Sequence, residues 1–194
     1  MSGNSVPRVI VFDLDGTLWR PEMYELWGGG APFTLSKGNP SAATDRSNTE
    51  VRLIGETREL LQTLSTAEEW RGTQLAISST CDEPRWALEL LRLFQFTDAK
   101  GESVPMLSLF GDLVEIYKAN KKTQHQTILR KAQRCDPSIK SDFSDFLFFD
   151  NQQDNISHVS SIGVTSIYCP NGMVRGVFER GLKEWREIRK RGVK

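Results

Sequence analysis

Val9-Ile10-Val11-Phe12-Asp13-Leu14-Asp15-Gly16-Thr17 is the stretch from which the rest of the chain can be read. β-Branched and aromatic side chains fill Val9 to Phe12 and stop abruptly at polar residues, so residues 8–13 read as a short buried strand. Four apolar residues are too few for a signal-peptide core or a membrane span. The strand therefore belongs to a folded core, and two carboxylates stand where it ends.

After this strand the pattern changes twice. Gly28-Gly29-Gly30, Pro32, Gly38, Pro40 and Ser41 punctuate residues 20–50, which lack helical periodicity. We read them as a flap or extended loop with room for a small hairpin. Beyond it, strands and helices alternate. Residues 56–69 are helical, with Leu60, Leu61 and Leu64 on one face, and Gly72 ends the pattern. Residues 74–78 form a strand, and 83–94 a helix with Trp86, Leu90, Leu91 and Phe94 at helical spacing. Strands at 113–117, 146–149 and 164–168 then alternate with helices at 122–134, 154–161 and 177–190.

Alternation of this kind predicts an α/β fold, a Rossmann-like three-layer sandwich around a mainly parallel sheet. A length of 194 residues suits one domain spanning 1–194 with a small flap insertion. The segment between Asp13 and Ser79 leaves no room for a large cap domain beside the flap and the helix. The site should therefore be open.

Charge and cysteine content narrow the partners. Twenty-five basic residues balance 25 acidic ones, which argues against nucleic acid or an anionic membrane as the main partner. Cys81, Cys135 and Cys169 form an odd set without metal-ligand spacing, as expected of free thiols in a reducing compartment. The expected address is the cytosol, with the nucleus also open.

Chemistry gathers at the strand ends. The first ends in Asp13-Leu14-Asp15-Gly16-Thr17, the second in Ser78-Ser79-Thr80, and Phe148-Phe149 ends in Asp150. Lys118, Lys121 and Lys122 lie near the start of the intervening helix. A parallel sheet would bring carboxylates, a hydroxyl and an ammonium to one rim. Phosphoryl transfer uses that inventory: a nucleophile, an acid/base, cationic neutralisation and hydrogen-bond donors to phosphoryl oxygens.

Val11-Phe12-Asp13-Leu14-Asp15-Gly16-Thr17-Leu18-Trp19 resembles the first motif of the haloacid dehalogenase superfamily, and Ser, Lys and an acidic motif follow in that superfamily's order. The likeness is to its magnesium-dependent phosphatase branch, through the Trp of D-G-T-L-W, residues 87–94 and the Phe-Phe-Asp ending. It spans about residues 8–185 and is weakest at 20–50 and 97–112. By this resemblance Asp13 is the nucleophile that becomes an aspartyl phosphate, and Asp15 the general acid and base. A carboxylate two positions after the nucleophile separates phosphatases and phosphomutases from dehalogenases. Asp13, the Asp15 carbonyl and Asp150 would hold Mg²⁺, with water completing the shell. Ser79 and Lys121 would contact the phosphoryl group. Ser79 is preferred to Ser78 because it aligns without a gap to Phe94, which leaves Ser78 in the core. Lys121 is preferred to Lys118 and Lys122 for its offset after Ile116-Tyr117. The branch places a second Asp after the first, where this chain has Asn151. The Asn151 amide oxygen can still coordinate or hydrogen-bond, but one negative charge is lost, which implies weaker magnesium binding; Asp154, at a spacing used elsewhere in the superfamily, would compensate at or beside the metal. The implied substrates are phosphotyrosine-type or sugar phosphates, on a small molecule or a phosphoprotein.

Plainer roles exist for each of these residues. Asp-Gly suits tight turns, Ser79 alone suits a helix cap, and Asp154 suits a helix N-terminus. Lys121 alone reads as a solvated lysine. His125 and His158 stand beside no nucleophile, Trp19 and Trp27 flank the flap and either line the site or, as is commoner for such aromatics, pack in the core, and residues 184–190 read as a solvated helix face. One rival site competes. Cys169-Pro170-Asn171-Gly172-Met173-Val174-Arg175 matches the C-x-x-G-x-x-R pattern of cysteine-dependent phosphatases, but Tyr168 and Gly176 stand where supporting residues are expected. A phosphatase-like binder of phosphorylated partners, motivated by Asn151, is the other alternative. A phosphomutase would need the cap that this chain lacks.

Overall fold

The described residues of this computed structural model are 6–192. β1 (Val9–Phe12) carries four fully buried apolar side chains, as the middle of a sheet covered on both faces demands. The flap follows, built from β2 (Trp19–Arg20), β3 (Thr34–Leu35), β4 (Ala42–Thr44) and β5 (Glu50–Leu53), and then α1 (Thr57–Thr66). β6 (Gln74–Ser79) and α2 (Pro84–Leu93) lead into β7 (Gln95–Thr97) and β8 (Ser103–Pro105). The remainder is β9 (Val114–Ile116), α3 (Lys121–Cys135), β10 (Phe146–Asp150), α4 (Gln153–Ser160), β11 (Thr165–Tyr168) and α5 (Val177–Gly192).

The central sheet has the order β11-β10-β1-β6-β9, parallel throughout. Phe12 pairs with Phe149 on one side and Ile77 on the other, so Asp13, Ser79 and Asp150 emerge at one edge. From β1 the chain first builds outward through β6 and β9, then returns to add β10 and β11 on the opposite side. The switch point lies between β1 and β10, where an open α/β sheet forms its ligand crevice.

Strand alternation sorts the layers. Ile10 and Phe12 join Leu61, Leu64, Leu90, Leu91 and Trp185 from α1, α2 and α5. Val9 and Val11 point the other way, onto Ile128 and Ala132 of α3 and Ile156 and Val159 of α4. Each such buried aliphatic side chain is worth roughly 1.5–3 kcal/mol, so β1 is anchored from both faces. α2 opens with Pro84, whose fixed φ suits a first turn, and Asn120 caps α3 by accepting from the Lys122 amide.

Three details differ from the sequence reading. The flap is a four-stranded antiparallel sheet, order β2-β5-β4-β3, where we expected a loop with at most a small hairpin. Its strands are two to four residues long, and only β5 (Glu50-Val51-Arg52-Leu53) is long enough to alternate exposed and buried side chains. Buried Asp45 fixes its geometry: one carboxylate oxygen accepts from the Gly30 amide, the other from the Ser47 and Thr49 amides, each at 2.8 Å. The β7–β8 hairpin was not expected. The helix expected over 56–69 ends at Thr66, with a separate 3-10 turn at Glu68–Trp70.

Candidate active site

Lys121 is the first residue of α3, and its side chain reaches back under the sheet edge. Its ammonium lies 2.6 Å from Asp13 Oδ1 and 3.2 Å from Asp150 Oδ2, and it donates to the Ser78 carbonyl. All three side chains are buried. Burial opposes the charge on Lys121, yet the Asp13 and Asp150 carboxylates outweigh it and hold its pKa above the ordinary lysine value. Burial, then the charge of Asp13, push the Asp150 carboxyl up, against the pull of Lys121. The Gln152 amide (2.7 Å) and Asn155 Nδ2 (3.0 Å) complete the shell of Asp150.

Asp15 sits beyond the turn. Burial raises its pKa to about 6, although the Trp19 indole N–H donates to its Oδ1 at 2.7 Å and pulls the other way. A carboxyl so placed can hold or release a proton near neutrality. Thr17 ties the turn together: its hydroxyl lies 3.4 Å from Asp13 Oδ2 and accepts from the Asn151 amide at 3.0 Å. Gly16, at φ 72°, lies where a Cβ would come within 2.2 Å of Asn151 Nδ2, so a larger side chain here would strain the backbone and displace Asn151.

The lysines separate cleanly. Lys118 is exposed and paired with Asp82 at 2.5 Å, Lys122 is half-buried at the helix start, and Lys121 alone of the three reaches the carboxylates. Ser78 faces the core and donates to Gln124 at 2.6 Å. The Ser79 hydroxyl is buried with no hydrogen-bond partner among the described residues. Leaving a hydroxyl unsatisfied costs about 1–3 kcal/mol, and a bound oxyanion would supply what is missing. Asn151 is half-buried, with Nδ2 3.4 Å from Glu22 Oε1. An aspartate at 151 would set its carboxylate against Glu22. Asp154 is exposed in the first turn of α4 and does not line the site; Asn155, one residue on, does.

The rival cysteine is poorly placed. Cys169 is buried, and burial with the charges of Asp150 and Asp13 pushes its thiol up to about 12. Arg175 is exposed. Neither an accessible thiolate nor a cationic cradle is present among the described residues of this loop. His125 is fully buried, its Nδ1 2.9 Å from the Lys121 carbonyl, and burial pushes its pKa down to about 3. Trp19 is buried as expected of a packing residue, whereas Trp27 is exposed.

Asp13, Asp15, Ser79 and Asn155 line a cavity of about 120 Å³, together with Glu22, Tyr24 and Asp82. A larger cleft of about 980 Å³ opens near Arg8 and Gln74, at the opposite strand ends, away from these carboxylates. The sequence reading gave Thr17 and Trp19 no contact with a site carboxylate and did not single out Asn155. The first two were visible as i+4 partners of Asp13 and Asp15, but no rule of spacing aims a side chain back across a turn. The donors also suit a hard divalent cation. Asp13 and Asp150 offer carboxylate oxygens, and among the described residues no backbone amide donates to the Asp15 carbonyl. The carboxylates of Asp13, Asp15 and Asp150 outnumber the single ammonium; burial first, and the charge of Asp13 after it, raise the Asp15 and Asp150 carboxyls. Magnesium keeps several waters, so it does not need a cage of three or more acidic side chains, and none exists among the described residues.

The acid phosphatase family matches residues 5–188. The chain is 32% identical over 183 residues to magnesium-dependent phosphatase 1 of Homo sapiens, covering 92% of this chain and 86% of that one. It is 28% identical over 162 residues to a HAD-like hydrolase superfamily protein of Schizosaccharomyces pombe, covering 82% and 83%. Its fold is similar to the N-terminal part of a Bacteroides fragilis protein that contains a phosphatase domain complexed with Mg, with a TM-score of 0.53 at 17% identity. That match covers 93% of this chain and spans 39% of the other.

Proposed function

This chain belongs to the acid phosphatase family within the haloacid dehalogenase superfamily, and from that membership we propose that it hydrolyses phosphate monoesters through an aspartyl phosphate on Asp13. It is a phosphatase, and magnesium is its metal. The mechanism rests on one observation. The Asp13 and Asp150 carboxylates flank a single buried ammonium, beside a cavity that also holds Asp15 and the unpartnered Ser79 hydroxyl.

In this reading a carboxylate oxygen of Asp13 attacks phosphorus while the bond to the leaving oxygen breaks. Asp15 gives that oxygen its proton. Water then attacks the phosphoryl group, Asp15 takes a proton from it, and Asp13 is released as a carboxylate. Lys121 holds Asp13 in place and offsets phosphoryl charge, and Ser79 donates to a phosphoryl oxygen. Asp13, the Asp15 carbonyl and Asp150 would hold Mg²⁺, which when bound neutralises charge on the phosphoryl group. Substrates are aryl phosphates of the phosphotyrosine type or sugar phosphates, and the three free thiols suit a cytosolic setting.

Aryl phosphate hydrolysis, with magnesium and with EDTA, tests this against the cysteine reading. Wild type should lose all measurable turnover in EDTA, and Cys169→Ser should keep most of its activity. Turnover that survives EDTA and dies with Cys169→Ser would move the site to the cysteine loop.

Trp19 should act as a positioning residue. Trp19→Phe keeps most of the buried ring but removes the 2.7 Å hydrogen bond to Asp15. A hydrogen bond to a charged group is worth about 1.5–3 kcal/mol, so kcat should fall by about tenfold or more. KM should change little, since Trp19 does not line the cavity. A rise in KM with unchanged kcat would show that Trp19 only shapes the pocket.

A further inference from the structure

A second cleft lies away from the phosphatase site, between α1 and α5. It has a volume of about 390 Å³, at the lower end of the range for ligand-binding clefts. Its floor is apolar: Leu60 from α1, Trp70 from the following 3-10 turn, and Phe178 and Leu182 from α5. Phe178 stands edge-on to Trp70 at 5.4 Å and packs against Phe149 of the central sheet, so the floor is rigid and tied to the core. Val174, 38% exposed, adds open apolar surface at one end.

The rim is acidic. Glu56, Glu59, Glu69 and Glu179 line the cleft, and no lysine or arginine among the described residues does. The chain as a whole is neutral, so this is a local departure from an even charge balance. Four like charges around an apolar floor repel nucleic acid and anionic membrane alike. They attract a segment that offers apolar anchors flanked by lysine or arginine, which is the helix-in-groove mode of recognition with its charges set by the rim.

We propose that the cleft between α1 and α5 is a docking site for a basic, amphipathic peptide segment of a partner protein. Apolar side chains of that segment would fill the space over Leu60, Trp70 and Phe178, and its cations would face Glu59, Glu69 and Glu179. The cleft also touches the active-site turn through the backbone. The Glu56 amide donates to the Met173 carbonyl, and the Met173 amide to the carbonyl of Thr17, whose hydroxyl contacts Asp13. Docking and catalysis nevertheless use different side chains, so they can be tested separately.

The probe is a fluorescein-labelled helical peptide of about 16 residues, roughly four turns, with leucines on one face and lysines on the other. It is titrated into wild type, Asp13→Asn, Leu60→Gln and the exposed double variant Glu59→Lys/Glu69→Lys. Wild type and Asp13→Asn should bind it saturably and equally well. The charge reversal should weaken binding by at least about tenfold, the scale of two exposed ion pairs turned from attraction to repulsion. Leu60→Gln should weaken it as well, and neither cleft variant should alter aryl phosphate turnover. Absence of binding, or binding indifferent to the charge reversal, would overturn the proposal. So would self-association in sedimentation that the charge reversal abolishes, because the occupant would then be a second copy of the chain.

Discussion

Asp13→Asn is expected to lower kcat for aryl phosphate hydrolysis by about four orders of magnitude or more, because an amide cannot form the phosphoryl ester. Folding should be almost untouched. The amide that replaces the carboxylate no longer carries the charge that faces Lys121, but Asp150 remains 3.2 Å from that ammonium and continues to neutralise it. Removing the Asp13 charge also relieves the repulsion that raises Asp150. Opposing effects of similar origin should leave the stability within about 1 kcal/mol of wild type, as for a substitution that strands no buried charge. Urea unfolding followed beside turnover separates the two quantities. Full activity in Asp13→Asn would remove the aspartyl-phosphate mechanism, whereas loss of activity with loss of fold would make the variant uninformative about chemistry and contradict the stability argument.

Lys121→Met should damage both properties. Its ammonium is fully buried between two carboxylates, and the methionine retains the volume without the charge. Breaking a buried pair by removing one partner costs about 3–5 kcal/mol, because the remaining charge is left uncompensated. Turnover should fall by about a thousandfold through the loss of charge stabilisation. The stability loss should depend on pH. Without Lys121 the Asp150 carboxyl is raised further above its unfolded value of about 3.9. A carboxyl raised in the folded state favours folding below the unfolded pKa and loses that contribution as pH rises through the folded pKa. The variant should therefore lie nearest to wild type in acid and fall behind it toward neutrality. Magnesium should restore part of the neutral-pH stability without restoring the rate. Unfolding midpoints across pH, with and without magnesium, provide the check. A pH-independent loss would mean that packing, not charge, is what Lys121 supplies.

Trp19 and Lys121 show how unevenly the site could be read from sequence. Lys121 is preferred among three nearby lysines for its offset after Ile116-Tyr117, and its ammonium stands 2.6 Å from Asp13. Trp19 was visible beside the flap but its hydrogen bond was not, because its indole N–H reaches Asp15 only through the turn at Gly16. Asp154 shows the plainer of its two sequence readings, a helix N-terminus. A spacing borrowed from related sites pointed to it, yet the helical twist turns it to solvent and brings Asn155 to Asp150 instead.

What this sequence determined by itself was the layered fold and the strand-end chemistry. A β-branched strand ending in Asp13, followed by alternating helices and strands, admits few arrangements other than a parallel sheet with its carboxylates at one rim. Local signals sufficed because each is written in consecutive residues. The antiparallel flap, the indole on Asp15, the unpartnered Ser79 hydroxyl and the acidic cleft beside α5 were decided by tertiary structure alone. The cleft and the Ser79 pocket join residues far apart in the chain, while the indole and the flap strands meet their near neighbours only through turns, and local periodicity carries no record of either.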